Sequence, residues 1–380
     1  MAAISHMGSI KKYFISLKDT RVRKRTDHRL IDIIAIALCG VIANCDGWTD
    51  ILDFANQRIA WFKRFLKLPN GIPSHDTFER VFANIDPAVF NRCCVAWLRD
   101  VSDLVGLNHI AIDGKTLRGS ASSTRGPLHL VSAWATEANL SLGEVAVEGK
   151  SNEIKAIPEL LKLLDLKGAL VTIDASGCQK AIAQQIVDKG GDYLLAVKAN
   201  QEHLLEDIQA TVAKALDGDL PTPQVAMVTT TAEGHGRIER RTYTVITNVE
   251  DIRDCKLWAG LTTVGMCLRE RTANGKTTEE THYFIASGRL GARKAAKGMR
   301  GHWSIENNLH WQLDVHFGED RSRIQERNAA RNFASMRKLA LGVLKRHPAQ
   351  KSIPRKRKMA AQNPDFLAEI LTGTAKVEKV

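Results

Sequence analysis

Two aspartates each follow a short apolar run and precede a glycine-containing turn. Residues 110–112 lead into Asp113 and Gly114, and residues 171–173 lead into Asp174 and the letters "ASG". If the two runs form neighbouring strands of one sheet, the two carboxylates lie side by side. Paired carboxylates attract hard cations such as Mg²⁺ or Mn²⁺, and two metals ~4 Å apart can activate a water and stabilise the leaving oxygen of a phosphodiester. Such a site needs a third carboxylate.

The stretch "GHWSIENNLHWQLDVHFGED", residues 301–320, is the best source of that third carboxylate. On a helix, Glu306, His310 and Asp314 recur at every fourth position and fall close to one face. A polar and aromatic face of this kind is typical of a site that faces nucleic acid, where rings stack on bases and amides contact the backbone. We predict Glu306 as the third carboxylate, with rivals in the same stretch at Asp314, Glu319 and Asp320.

The 380-residue chain carries a formal net charge of +12. This excess predicts a polyanionic partner, nucleic acid before a membrane surface, and the alternative is a basic but otherwise ordinary enzyme. The longest apolar stretch, residues 30–43, is too short to span a bilayer, and no signal-peptide pattern is evident. Seven scattered cysteines without a Cys-x-x-Cys pair argue against structural zinc and fit a reducing compartment. We expect a cytoplasmic, nucleoid-associated protein with no membrane partner.

Apolar periodicity separates helical from strand-rich stretches. Short helices in the first hundred residues, one capped by Ser74, suit either a helix-turn-helix-like DNA-binding unit or a plain helical bundle. Strands and helices then alternate as in an α/β domain with a mixed sheet, and Asn274-Gly275 predicts a hairpin. The predicted divisions are a helical N-terminal domain (1–105), the first part of the α/β core (106–204), a β-rich insertion (205–290), the helical part of the core (291–348) and a basic, mobile tail (349–380).

The chain resembles the DDE transposases of bacterial insertion sequences, in the ISAs-type group that includes the H-repeat-associated proteins. The matching stretches are "AIDGKTLRGS", "LHLVSAWATE", "SNEIKAIPELL", "VTIDASGCQK", "GGDYLLAVKANQ", "GHGRIERR" and "HWSIENNLHWQLDVHFGED". The resemblance extends to the helical N-terminal region and so covers nearly the whole chain. It implies a ribonuclease H-like core interrupted by a β-rich insertion, with Asp113, Asp174 and Glu306 as the catalytic, metal-binding triad. It also implies Mg²⁺ as the cofactor, with Mn²⁺ able to substitute, and cleavage of transposon ends followed by strand transfer into target DNA by self-associated copies.

The chain departs from the wider DDE group in the residues that flank the glutamate. That group often carries a Tyr, an Arg and a Lys there, whereas this chain has His302 before Glu306 and Leu313 after it. We expect Arg300 and His310 to take over phosphate contacts. The full set of predicted DNA-binding residues is Lys115, Arg118, Gln179, Arg237, Arg240, Arg300, His302, Asn307 and His310, with weaker candidates at His235 and Arg241 and in the basic segment 21–28. For Lys115 and Arg118 the alternative is ordinary surface charge, and for the residues of "GHGRIERR" it is a solvated strand.

Three functions fit these observations. The first is an active transposase, the second is a transposase-derived DNA-binding protein that no longer cuts, and the third is a host nuclease of the ribonuclease H type that cuts without joining strands. A small-molecule enzyme is disfavoured because the sequence contains neither a nucleophile triad nor a nucleotide-binding glycine loop of the form Gly-x-x-x-x-Gly-Lys-Ser/Thr.

Overall fold

A computed structural model describes residues 10–22, 26–102, 107–149, 152–221, 224–234 and 236–372. Four of the weaker DNA-binding candidates, Arg23, Lys24, Arg25 and His235, lie outside the described residues. Within the described part of the chain, no helix is both long and apolar enough to cross a membrane.

The N-terminal region is helical, which confirms the sequence prediction. Ser74 caps one helix as predicted, because its hydroxyl accepts a hydrogen bond from the Thr77 amide at 3.3 Å. The apolar run that starts at Trp48 breaks at Arg58, where the backbone leaves helical geometry. The helices are α1 (Leu30–Ile42), α2 (Trp48–Gln57), α3 (Ile59–Phe62), α4 (His75–Asn84) and α5 (Pro87–Ser102).

Five strands form a sheet in the order β3-β2-β1-β4-β5. They are β1 (His109–Leu117), β2 (Leu128–Ala135), β3 (Leu140–Glu148), β4 (Leu170–Ile173) and β5 (Asp192–Val197). β1 pairs antiparallel with β2 and parallel with β4, so the sheet is mixed. Helices α6 (Glu153–Lys162) and α7 (Lys180–Asp188) connect the strands β3, β4 and β5. This order and these directions are those of a ribonuclease H-like core, which confirms the predicted fold class.

The β-rich insertion extends the core sheet. Helix α8 (Glu202–Leu216) precedes strands β6 (Val225–Gly234), β7 (Arg237–Ile246), β8 (Leu261–Ala273) and β9 (Lys276–Ser287). Because β9 pairs with β5, the described strands form one nine-stranded sheet that ends in β9-β8-β7-β6. The predicted hairpin is confirmed: Asn274 and Gly275 both have positive φ, 50° and 73°, and connect the paired residues Ala273 and Lys276.

The helices after the sheet join the N-terminal region to the core. They are α9 (Ala292–Ile305), one π-helical turn (Glu306–His310), α10 (Trp311–Phe317) and α11 (Arg327–Arg346). α11 is buried along most of its length and packs against α1, α4, α5 and β3. Its apolar residues and those of the N-terminal helices belong to one continuous hydrophobic core. The N-terminal helices are therefore held against the sheet by the same helix that follows the site.

Residues 353–372 differ from the predicted basic, mobile tail. They form α12 (Ile353–Gln362) and α13 (Pro364–Thr372), and both helices pack against the rest of the chain. Arg357 is fully buried, donates hydrogen bonds at 3.0 Å to the Val41 carbonyl and to Asp46, and lies 4.1 Å above the Phe317 ring. Two cations of this segment, Lys356 and Arg357, donate to internal carbonyl groups, which a charge run in the sequence does not reveal.

Candidate active site

The sheet places Asp113 and Asp174 next to each other. In the parallel pairing of β1 with β4, Ile112 is the partner of Ile173, and each aspartate is the following residue. Asp174 begins a short 3₁₀ turn, and its Oδ1 accepts hydrogen bonds from the Ser176 amide at 3.1 Å and the Ser176 hydroxyl at 2.6 Å. Asp113 is therefore held within β1, which continues to Leu117, whereas Asp174 is held in the capped turn directly after β4.

Two histidines from the helical segment face Asp113. His310 Nδ1 lies 3.4 Å from Asp113 Oδ2. Burial by itself would raise the pKa of Asp113, but the His310 contact and the charge of His302 outweigh it, so the pKa is lowered. His302 Nδ1 lies 3.2 Å from the Thr172 hydroxyl, and burial lowers the pKa of His302 although Asp113 and Asp174 oppose that shift. These contacts hold the helical segment against β1 and β4.

Glu306 completes the group from the π-helical turn. Its neighbours Ile305 and Leu309 are fully buried and anchor the turn, while Glu306 itself is solvent-exposed. Partial burial of its carboxyl group, followed by the negative charges of Asp113 and Asp174, raises the pKa of Glu306, and His310 opposes the shift. Glu306 therefore lies within electrostatic range of both aspartates.

The donors suit a hard divalent cation by type and by charge. Oxygen ligands with mutual repulsion are what Mg²⁺ and Mn²⁺ bind and neutralise. Both Ser176 bonds fall on Oδ1 of Asp174, and Oδ2 accepts no hydrogen bond from a described residue. Among the described residues, no three His, Cys, Asp or Glu side chains are already close enough together to hold a metal. Binding of one cation by all three carboxylates would therefore require them to move closer together.

The three rival carboxylates have a different partner, Lys115. The Lys115 ammonium donates a hydrogen bond to Asp314 and lies 3.0 Å from Glu319 Oε2 and 3.5 Å from Asp320 Oδ1. Only 11% of the Lys115 side chain is exposed. The structure thus differs from the prediction that Lys115 contacts DNA phosphates, because its ammonium is enclosed by carboxylates. Among the candidate third carboxylates, Glu306 is the one whose pKa is raised by the charges of Asp113 and Asp174.

The other predicted DNA-binding residues fall into two groups. Arg237, Arg300 and Asn307 line a cavity of about 590 Å³ between β7, β8 and α9, and Glu306 lies on its wall. Arg118 is 80% exposed and lies 3.6 Å from Asp320, and Gln179 is half-buried at the start of α7, so neither lines this cavity. Arg240 points to the other face of β7, where it lies 3.6 Å from Glu270.

A second groove continues along α9. It has a volume of about 290 Å³, and its lining has four cations and no carboxylate: Arg241, Arg293, Lys297 and Arg300. In the larger cavity, by contrast, Glu239 pairs with Arg237, Arg241 and Arg269. Arg300 lines both spaces and forms no ion pair with a described residue. The sequence did not reveal this groove, because β6 and α9 are far apart along the chain.

Sequence reasoning also missed Glu153. This glutamate is 4% exposed, lies in the first turn of α6, and its Oε2 accepts a hydrogen bond from the Ser176 hydroxyl at 3.3 Å. Its Oε1 lies 3.6 Å from His129 Nε2. The signal was present in the stretch "SNEIKAIPELL", where an acidic residue opens a helix directly after a strand.

The chain matches two known protein families. The family described as Transposase DDE domain matches residues 106–343, and the one described as DDE_Tnp_1-associated matches residues 11–98. The chain therefore belongs to the DDE transposases, in the group of the H-repeat-associated proteins.

Similar proteins occur in Escherichia coli. "Putative transposase YncI" of the O157:H7 strain is 39% identical over 97% of this chain and 96% of its own. "H repeat-associated putative transposase YhhI" of strain K12 is 38% identical over 97% of this chain and 99% of its own. Among solved structures, the piggyBac transposase synaptic complex with hairpin DNA aligns over 100% of this chain and 80% of that chain with a TM-score of 0.37 and 9% identity, which is too low to support an argument.

Proposed function

We propose that this transposase cleaves DNA at insertion-sequence ends and joins those ends to target DNA, by metal-dependent hydrolysis and transesterification at Asp113, Asp174 and Glu306. The observation that carries the proposal is that Asp113 and Asp174 directly follow the paired residues Ile112 and Ile173 on neighbouring parallel strands, with Glu306 close enough for both aspartates to raise its pKa. Bound Mg²⁺ or Mn²⁺ would activate the attacking oxygen and stabilise the leaving oxygen of the phosphodiester.

The residues around the triad have distinct roles in the proposal. Ser176 fixes one oxygen of Asp174 and leaves the other for a cation. His310 orients Asp113 and keeps it ionised, because the contact lowers the pKa of that carboxyl group. His302, whose pKa is lowered by burial, ties α9 to β4 through Thr172. The protein thus places the partly buried Asp113 and Asp174 on neighbouring strands, with the solvent-exposed Glu306 within electrostatic range of both.

DNA would approach Glu306 along α9. Of the four cations that line this groove, Arg293 and Arg300 form no ion pair with a described residue, whereas Arg241 pairs with Glu239 and Lys297 with Glu137. Such a surface attracts the phosphate backbone independently of sequence, and its binding weakens as salt rises. Trp303 and Asn307 lie further along the same path, where a ring and an amide can contact bases and backbone. Joining two element ends in one reaction implies that copies of the chain associate on DNA.

A strand-transfer assay tests the proposal. Purified protein is incubated with labelled duplexes that carry the ends of the chain's own element, together with a supercoiled target plasmid and Mg²⁺ or Mn²⁺. The proposal expects metal-dependent nicking at a defined position and covalent joining to the plasmid. Glu306→Gln should lose both products, whereas Glu159→Gln, an exposed helix glutamate paired with Lys162, should keep both.

The other two functions give different products in that assay. Binding of the ends without cutting in either metal would indicate a transposase-derived DNA-binding protein. Cut ends with no joined strands would indicate a nuclease. Loss of products in EDTA and their return on addition of Mg²⁺ would show that the cleavage depends on metal. Glu306→Gln, purified in the same way, must stay inactive to exclude a contaminating nuclease.

A further inference from the structure

Lys115 and Asp113 lie on the same strand, two positions apart, and therefore point to the same face of β1. The Lys115 ammonium is surrounded by carboxylates from the segment that follows Glu306: Asp314 on α10, and Glu319 and Asp320 in the turn after it. The strand of the first catalytic aspartate is thus tied to the helix that continues from the third carboxylate.

Glu319 is a buried member of this cluster and the Lys115 side chain is largely buried, whereas Asp314 and Asp320 are partly exposed. Burial alone would lower the pKa of Lys115, but Glu319 and Asp314 outweigh it and raise the pKa above its ordinary value. Glu319 is 2% exposed, and its pKa is lowered because Lys115, Arg337 and Lys338 together outweigh the effect of burial. Arg337 and Lys338 come from α11, so three parts of the chain meet at these charges.

Backbone packing joins the same two segments. A Cβ placed at Gly119, just beyond β1, would lie 1.8 Å from the Ser322 carbonyl oxygen. The turn after β1 therefore rests directly on the turn after α10. Arg118 lies 3.6 Å from Asp320 across the same contact. Of the two cations in this contact, Lys115 and Arg118, Lys115 is the more buried and the closer in sequence to Asp113.

A continuous α-helix would by itself fix Glu306 relative to α10, but here a π-helical turn interrupts the regular hydrogen bonding at Glu306. The apolar side chains Ile305, Leu309, Leu313 and Phe317 press the segment onto the core. Apolar packing is non-directional and sets the depth of the segment better than its position along the strand. Directional charge contacts can set that position.

We propose that Lys115 is a positioning residue: by binding Asp314 and Glu319 it fixes α10 and the π-helical turn along β1, and so sets Glu306 relative to Asp113. A buried ion cluster is a weak source of stability compared with apolar packing of the same volume, whereas it can specify one arrangement. The proposal rests on the proposed metal-dependent function and names residues that do not touch the metal or DNA.

The test compares Asp314→Asn and Lys115→Arg with the wild type. Asp314→Asn keeps volume and removes one charge at a partly exposed position, so the chain should fold, and Lys115→Arg keeps the charge with a changed geometry. Lys162→Met, at an exposed helical ion pair, is the matched control. The readouts are Mn²⁺ affinity by calorimetry without DNA, Mn²⁺ dependence of cleavage, duplex affinity and melting temperature.

For Asp314→Asn we expect Mn²⁺ affinity to fall about tenfold, the scale seen when supporting contacts of a metal site are lost. The half-saturating Mn²⁺ concentration for cleavage should rise in parallel, cleavage should recover at high metal, and duplex affinity should stay within about twofold of the wild type. Lys115→Arg should fall between the wild type and Asp314→Asn in Mn²⁺ affinity.

Unchanged Mn²⁺ affinity in Asp314→Asn, with or without a lower melting temperature, would overturn the positioning role and leave the proposed function standing. A tenfold loss of duplex affinity in Lys115→Arg at unchanged Mn²⁺ affinity would also overturn it, since that result identifies a DNA contact. A wild type that binds no Mn²⁺ and cuts no DNA would overturn the proposed function and this inference together.

Discussion

Asp113 and Asp174 each stand one residue beyond a backbone-paired isoleucine, Ile112 on β1 and Ile173 on β4. Parallel pairing makes this adjacency a consequence of strand register, because equivalent positions on neighbouring parallel strands lie side by side. Glu306 then reaches the pair from a helix that packs on the same sheet. Predictions about the site follow from the opposite electrostatic surroundings of these carboxylates.

Neutralising Glu306 and neutralising Asp113 should change stability in opposite directions. In EDTA, Glu306→Gln should raise the melting temperature, because burial and the two aspartates raise the pKa of Glu306 and make its charge unfavourable. Asp113→Asn should lower it, because the ionised carboxylate gains from His310. Differential scanning calorimetry at pH 7 measures both. Shifts of the same sign would contradict the assigned surroundings of one of the two carboxylates.

Adding a methyl group at Gly114 should disturb the packing of β1 next to Asp113. A Cβ there would lie 2.0 Å from Glu153 Oε1 and 2.3 Å from His129 Nε2, and both side chains are buried. Gly114→Ala should therefore reduce the free energy of unfolding by about 1–3 kcal/mol. Urea unfolding measures the loss, and Gly126→Ala, where a Cβ would meet nothing within 4 Å, is the control. Equal stabilities of the two variants would show that Glu153 does not pack against Gly114.

Acid should weaken the fold through His109. Burial lowers the pKa of His109 from 6.5 to about 4, and its Nε2 lies 2.9 Å from the Thr172 hydroxyl. The unfolded chain takes up this proton near pH 6.5 and the folded chain only near pH 4, so stability falls as pH drops between these values. The loss should reach about 3 kcal/mol.

Urea unfolding of wild type and His109→Gln at several pH values isolates that contribution. At pH 7 the variant should be less stable than the wild type, because the substitution removes the hydrogen bond between His109 and Thr172. This difference in the free energy of unfolding should shrink toward pH 4. A constant difference across that range would show that His109 titrates normally in the folded protein.

Arg357 gives a test of the packed C-terminal helices. Arg357→Met should reduce the free energy of unfolding by about 1–3 kcal/mol, because the Val41 and His316 carbonyls lose a buried donor. Lys358→Met, at the exposed neighbouring position, should leave stability unchanged. Thermal unfolding measures both variants. An Arg357→Met protein as stable as the control would mean that residues 353–372 do not pack on the core in solution.

The sequence predicted those features that depend on local pattern. Apolar alternation gave the strands, the Asn274-Gly275 pair gave the hairpin, and Ser74 gave a helix start, since each signal lies within a few residues. The adjacency of Asp113 and Asp174 was also within reach, because it requires only that two buried strands be neighbours.

Other features depend on contacts between distant parts of the chain. Lys115 looked like a surface cation because its carboxylate partners lie beyond residue 310, and Arg357 looked like part of a mobile tail because its acceptors lie on α1 and α10. A run of charged residues in the sequence does not show whether hydrogen-bond acceptors or opposite charges lie next to it in the folded chain. The groove along α9 was missed for the same reason, as it forms only when β6 meets that helix.

The central claim is that Asp113, Asp174 and Glu306 together bind the divalent cation. Isothermal titration of the metal-free wild type with Mn²⁺, beside Glu306→Gln, Asp174→Asn and Glu159→Gln, tests it without relying on DNA. We predict saturable binding to the wild type and Glu159→Gln, and binding at least tenfold weaker in both triad variants, the scale expected when a metal site loses groups it depends on. Equal Mn²⁺ affinity in Glu306→Gln and wild type would contradict the assignment of Glu306 as the third ligand.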